Sequence, residues 1–574
     1  MERRELFPAL CALTLISASP AAAQLRAGAA TVDISPQTFP VIINCGFTER
    51  QATRVKIPLR ARALVLENGG VRVGLVVVDS CMMPRELIDR AKQLAAEKSG
   101  IRPANMLVSA THTHSAPAAM ACLGSRAETA YAAALPGKIA AAIVAAAARL
   151  EPARAGWAVV EAGEHTHTRR WIYRPEAMLT DPFGNRTVRA NMHPGYQNPA
   201  AVTPAGPSDA ALTVLSVQSA AGRPLALLAN YSQHYYGDNE VSADYQGLFG
   251  DTVGQALGAG SEFVGMMSQG TSGDQMWMDY SQPRAQPGLE RYTAQVVARA
   301  VDAYRLVRYE TNPPLRMAEM RLVLGRRVPD AARLQWARAL VATLGERLPK
   351  THPEIYAREA IYLSEEPRRE LTLQALRLGS LGITAMPNEV FAITGLKIKQ
   401  QSPLAATMNI TLANGAEGYI PPPEQHRLGG YTTWAARTAG LETGAEPRIV
   451  EAVLTLLEQV SGRQRRAVWS RPAPPGAVAY WHLDGLTSQL SGRARLEGLY
   501  ALGVDGYAER AVYLAGGSLV AELPARAAGY RVAYWFWDAL GDKRWAQRQV
   551  ETTGGTLRIG PLEGKIDEVT VFAK

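Results

Sequence analysis

The 574-residue chain is 47% hydrophobic and 20% charged, a composition that fits a globular protein and excludes a disordered or fibrous one. Its net charge of +9 comes from scattered basic residues, and the densest run, SGRQRRAVWSR, adjoins a proline-rich stretch and reads as a solvated linker. Nucleic acid is therefore excluded as the main partner, while a basic surface leaves contact with an anionic membrane or envelope surface open.

At the start, Arg3 and Arg4, the apolar run Leu6 to Ala18 and the small residues Ala21 to Ala23 have the order of a secretory signal peptide, residues 1–23. No later stretch reads as long and apolar enough to span a bilayer, so the expected mature protein is soluble and secreted or periplasmic. Cys11 leaves with the signal, and Cys45, Cys81 and Cys122 remain. Their odd number leaves at least one thiol free unless chains pair, and the sequence leaves the pairing open.

Next, VRVGLVVVDSCMM reads as a buried strand and RELIDRAKQLAAEKSG as a helix stopped at Gly100. ANMLVSATHTH is a second strand, and AYAAALPGKIAAAIVAAAARL a second helical stretch. PLALLANYSQH, EFVGMMSQGTSGD and LRLGSLGITAMPNEV each end an apolar strand on polar residues. The alternation predicts an α/β fold, with ligand groups gathered where strands end. No short repeat period is visible. From about Arg471 the chain changes to short strand-like runs with glycine turns, which predicts a small all-β sandwich. The expected division is 24–470 for an α/β, mixed-sheet domain and 471–574 for the sandwich.

His112 and His114 close the second strand. Residues two apart on a strand face the same way, so the two imidazoles are expected to point together. Such a pair binds a metal, or one member binds while the other moves protons; a hydrogen-bonded surface pair has the same spacing. His165 and His167 in GEHTHTRRW repeat the spacing without a buried strand before them.

The wider pattern separates these readings. SATHTHSAP closely resembles the SATHTHSGP signature of the neutral ceramidase family. NYSQHYYGDNEVSADYQG looks like its second signature, AMPNEVFAITG resembles its PGEFTTMSG segment, and EGYIPPPEQHRLGGY its tyrosine-bearing segment. The matches come in the family's order over roughly residues 25 to 440. The resemblance implies a Zn2+ site formed by His112, His234, Glu389 and Tyr419. It also implies His114 as general acid or base, Tyr431 as a donor to the developing oxyanion, and Arg169 as added positive charge, with Arg170 an alternative to Arg169. The implied reaction is cleavage of an N-acyl amide, in an N-acylated lipid or another acyl amide, by hydroxide generated at the zinc.

Two departures accompany the resemblance. The family carries GDVSPN, whereas GTSGDQMWMD keeps Gly273 and Asp274 but has Met276 at the serine position. Methionine has no hydroxyl, so either the hydroxide acts without that serine or the substrate differs from ceramide. The C-terminal VAYWHLDG and GKIDEVTVFAK resemble the first and last strands of laminin-G or concanavalin-like sandwiches, modules that in some proteins contact glycans. The lost serine and the added sandwich together support an alternative expectation, a glycan- or envelope-binding protein on a degenerate hydrolase scaffold.

Overall fold

The computed structural model describes residues 24–574 except 469, 524–527 and 554. The expected signal peptide therefore lies outside the described residues. An antiparallel meander opens the fold: β1 (Arg26–Asp33), β2 (Arg60–Asn68) and β3 (Val71–Val78). Helix α1 (Arg85–Ser99) then crosses to β4 (Met106–Ala110), which lies parallel to β3, and α2 (Thr129–Ala148) follows. Gly100 ends α1 in the left-handed region at φ 69°, its N–H bonded to the Ala96 carbonyl, as the glycine stop predicts.

The same order then recurs. β5 (Glu151–Glu161), β6 (Ala211–Ser219) and β7 (Pro224–Tyr231) form a second meander; α3 (Asp244–Ala256) crosses to β8 (Val264–Gln269), parallel to β7, and α4 (Leu289–Leu306) follows. β1 and β5 join the halves antiparallel, giving one eight-stranded sheet in the order β8-β7-β6-β5-β1-β2-β3-β4. The repeat is one of topology, which is why the sequence shows no period.

The sheet curls until its outer strands approach each other, and residues 411–414 bridge them. The Ala110 N–H donates to Leu412 O at 3.1 Å, and the Thr411 N–H donates to Gln269 O at 3.0 Å. Buried Arg62 on β2 adds a charged tie, reaching Asp79 at 2.7 Å and Asp251 of α3 at 2.9 Å. The strand ends that carry polar residues in both halves are thereby brought to one place.

Helices α1 and α2 cover one face of the first half through Ile88, Ile139 and Ile143, and α3 and α4 cover the second half through Phe249 and Val296. By length and composition α2 is long and apolar enough to cross a membrane, contrary to the sequence reading; here Leu135, Ile139 and Ile143 bury it in the core. The other face packs on a second sheet made of β9 (Leu315–Gly325), β10 (Arg368–Leu378), β11 (Leu381–Ala385) and, beyond β12 (Glu389–Val390) and α5 (Ala392–Gln401), β13 (Ala406–Ile410). β14 (Tyr419–Ile420) pairs with β12, and α6 (Ala445–Ser461) covers the far face through Ile449, Val453 and Leu457. The order of layers is helix, sheet, sheet, helix, so side chains at the sheet–sheet seam lie far from water.

One core residue is out of keeping with this burial. Lys92 of α1 is 3% exposed, and desolvation pulls its ammonium down to about 8, against the partial support of Glu319 and Asp89. A lysine whose folded-state pKa is lowered costs stability fully below that pKa, and the cost fades as pH rises toward the free value. Lys92→Met is therefore expected to stabilise the protein at pH 7, by at most about 3 kcal/mol. Chemical denaturation should show the gain shrinking between pH 8 and 10.

The chain from Ala477 is all-β. β15 (Ala477–Trp481), β16 (Ala494–Glu497), β17 (Tyr500–Asp505), β18 (Arg510–Leu523), β19 (Tyr530–Asp538), β20 (Trp545–Thr552) and β21 (Gly555–Ala573) form one hydrogen-bonded network. The glycines of AVYLAGGSLVAEL and TLRIGPLEGK, read as turns between short strands, lie inside the long strands β18 and β21. The register between the two shifts at Ala515/Gly517 and Gly517/Leu519, so these glycines serve bulges that bend a strand without ending it. Leu483, Leu502 and Leu514 of this region share a core with Phe391, Ile393 and Tyr419, and Arg189 pairs with Glu563 at 2.7 Å. The C-terminal strands thus back the segment that carries β12 and β14.

Candidate metal centre

Beyond β4 the chain does not continue as a strand. His112 adopts φ 69°, uncommon for a residue with a Cβ, and its N–H bonds to Ser80 O at 2.9 Å. This corrects the same-face expectation: His112 and His114 do converge, but because the backbone turns after Ala110. Their rings lie 4.6 Å apart at 89°. His234 arrives from the end of β7. Gln246 of α3 holds the two loops together, donating to Thr111 O at 3.0 Å and to His234 O at 2.8 Å. Glu389 and Tyr419 come as directly opposed partners on β12 and β14. Gly418 precedes Tyr419 at φ 74°, where a Cβ would stand 2.3 Å from the Thr438 carbonyl carbon.

Both ligand-type histidines are oriented by backbone. His112 Nδ1 lies 2.9 Å from Cys81 O, and His234 Nδ1 lies 3.0 Å from Ser272 O. Each Nδ1 therefore carries its proton toward a carbonyl, which turns Nε2 inward. The two Nε2 atoms are 3.0 Å apart; His114 Nε2 is 3.1 Å and Glu389 Oε2 3.3 Å from His112 Nε2. One nitrogen with at most one proton cannot serve three acceptors. Glu389 Oε2 is buried without a well-aligned donor. A cation held by His112, His234 and Glu389 would satisfy all of them, and these ligand atoms lie within 4.8 Å of one another. Cys81 stands on the Nδ1 side of His112, its Sγ 3.9 Å away, and acts here through its carbonyl.

The charge balance agrees. Burial opposes a proton on each imidazole, but at His112 the Glu389 carboxylate and the Cys81 side chain together more than offset this and hold it up at about 10. Burial, with charged His112 and Arg169 nearby, presses His114 well below the usual range; burial and Arg169 do the same to His234. The cluster holds one positive charge, where a metal ion would stand. Burial, together with Glu389 and Tyr431, keeps the Tyr419 phenol well above its ordinary range and neutral.

Arg169 completes the wall. Its Nη2 lies 3.1 Å from His234 Nε2, 3.1 Å from Tyr419 Oη and 2.8 Å from Gly273 O. Arg170 points elsewhere and bonds to Gln425, Ala190 O and Gly429 O, so of the two alternatives it is Arg169 that reaches the site. Tyr431 is half-buried, edge-on to Tyr419 with centroids 5.8 Å apart. His165 and His167 stay outside: the His165 ring lies beside Tyr292, and His167 pairs with Met276 on a short ladder. Met276 is buried there, while Ser272 and Gly273 of the same loop touch the site with their carbonyls. A Cβ on Gly273 would stand 2.9 Å from Glu389 O, so this loop can lie against β12 only with glycine.

The sequence did not single out three neighbours of the site. His193 Nε2 accepts from Arg169 Nη1 at 3.3 Å, and its Nδ1 meets Tyr280 Oη at 2.5 Å. Burial and Arg169 push His193 down to about 3, so it is a neutral imidazole that aims the guanidinium. Tyr235 stacks on His114 with centroids 3.9 Å apart. Adjacency to His234 was the only signal for Tyr235; His193 and Tyr280 carried none.

No family model and no curated protein matches the chain. Among solved structures it is similar to neutral ceramidase from Pseudomonas aeruginosa, at 15% identity and a TM-score of 0.57 over 96% of this chain and 93% of that one. A ceramidase complexed with C2 gives 15% identity and a TM-score of 0.58 over 96% of this chain and 94% of that one. Across nearly its whole length, the chain has the neutral ceramidase fold.

Proposed function

We propose that this protein is an exported, zinc-dependent hydrolase of N-acyl amides, related to the neutral ceramidases. The observation that carries the reading is the convergence of His112 Nε2, His234 Nε2 and Glu389 Oε2, with Arg169 and Tyr419 against it. Two imidazoles, a carboxylate and a phenol form a donor set of borderline hardness that suits Zn2+. A bound zinc ion supplies Lewis acidity and brings a water's pKa near neutrality.

The chain's own residues do the rest. His114 Nε2 faces the centre, and its neutral imidazole takes a proton from water and returns it to the leaving nitrogen. The Arg169 guanidinium and the Tyr431 hydroxyl favour negative charge on the amide oxygen as the carbon becomes tetrahedral. The products are a carboxylic acid and an amine. Export is supported by the order of charged, apolar and small residues at the start of the sequence and by the Cys45–Cys122 disulfide. Met276 supplies no hydroxyl, which supports an acyl amide other than ceramide as the preferred substrate.

The test is a panel of N-acyl amides that varies acyl length and amine, run on purified protein. Turnover of at least one member should vanish with a chelator and return with zinc. Failure on every acyl amide, with zinc bound, would overturn the reading.

A further inference from the structure

A cavity of about 620 Å3 opens beside His114 and Tyr235. Its wall mixes charged side chains with Tyr235, Tyr236, Trp277, Met278 and Leu289. Lys56 and Asp238 form an ion pair at 2.7 Å, and Glu290 sits exposed at the rim. Arg50 is different. It lies in the short ladder that pairs Val41–Ile43 with Arg50–Ala52, and its Nη2 donates to the His114 carbonyl at 3.1 Å. Among the described residues Arg50 makes no ion pair, so the rest of its guanidinium fork is free for a ligand.

A second unmet group lines the same cavity. Asn44 sits at φ 73°, its N–H bonded to Ala116 O, beside the Cys45–Cys122 disulfide. Its side-chain Oδ1 is buried and has no hydrogen-bond partner. Buried polar atoms without partners are rare, and near a cavity they point to a donor that arrives with the ligand.

These observations constrain what enters. A long alkyl chain here would desolvate Arg50, Lys56 and Asp238 and return no hydrogen bonds. A carboxylate would meet the free guanidinium in paired, charge-assisted bonds. Because His114 delivers the proton to the leaving nitrogen, the half of the substrate beside His114 is the amine half. Resting on the hydrolase reading above, we infer that this cavity selects an amine bearing a carboxylate close to its nitrogen, as in an N-acylated α-amino acid. Arg50 takes the carboxylate, and Asn44 Oδ1 accepts from a donor on the same half. Hydrolysis then releases a fatty acid and a free amino acid, water supplying the acid's hydroxyl and the amine's proton.

N-decanoylglycine and N-decanoylglycinamide separate carboxylate recognition from general amide hydrolysis, since they differ only in that group. The native enzyme should favour the carboxylate by about ten- to hundredfold in kcat/KM, mostly through KM. Arg50→Gln should bring the ratio of the two kcat/KM values to about one, the acylglycinamide reporting separately any change passed on to His114, and Arg50→Lys should keep part of the preference. Calorimetric binding of N-decanoylglycine to chelated protein should weaken in Arg50→Gln to a similar degree. Equal turnover of both substrates by the native enzyme, or an unchanged preference in a folded Arg50→Gln, would overturn this inference and leave the hydrolase reading standing. Failure on both, and on every other amide of the panel, would overturn both.

Discussion

His112→Ala and His234→Ala should each lose the bound metal and fall to the turnover of chelated protein. Each removes one of two imidazole nitrogens that backbone carbonyls have already aimed inward, at Cys81 and Ser272. Outer partners of metal ligands cost about 10–100-fold in affinity when removed, so loss of a ligand itself should cost more. Elemental analysis of the native protein should give about one zinc per chain, as a mononuclear site requires. His165→Ala is the control: its ring lies beside Tyr292, outside the cluster, and it should keep zinc and activity. Full zinc content in both His112→Ala and His234→Ala would dismiss the assignment.

His114→Ala should separate what those variants lose together. Its zinc content should stay near that of the native protein, while kcat drops by roughly 10²–10⁴-fold, the range typical of general acid–base groups. The His114 ring is fixed from two sides, stacked on Tyr235 at 3.9 Å and anchored through its carbonyl by Arg50. Its Nε2 lies 3.1 Å from His112 Nε2, close enough to serve a water between them and the substrate. If the variant instead arrives without zinc, His114 is a ligand and the proton carrier must be sought elsewhere.

Much of the α/β part was legible because its signals are local. The valine run of β3, the helical spacing of α1 and the glycine at position 100 each act within one element. The lone histidine of SQHYYG lies just beyond a strand, as read, whereas the glutamate of MPNEV, read as the end of an apolar strand, opens the separate short strand β12. What escaped depends on distance or on backbone shape. The left-handed turn at His112 leaves no mark in an H-x-H spacing, and the repeat of the two halves survives in topology alone. The chain from Arg169 through His193 to Tyr280 joins residues far apart in sequence, and neither His193 nor Tyr280 stands in a motif. In the C-terminal region a glycine pair that looks like a turn is a bulge, because a bend within a strand and a break between strands draw on the same residues.

The curled sheet would give an ion bound at the candidate site a second role. The candidate ligands come from beyond β4 in one half, from beyond β7 in the other, and from β12, which lies between β11 and β13 of the second sheet. The unfolded chain does not hold these groups together, so the free energy of binding an ion here would stabilise the folded state alone. An ion held there would work as a latch across the seam where the two sheet edges meet. Its affinity and the cohesion of the two halves would then be one coupled equilibrium, in which loosening the seam would release the metal and supplying the metal would tighten the seam.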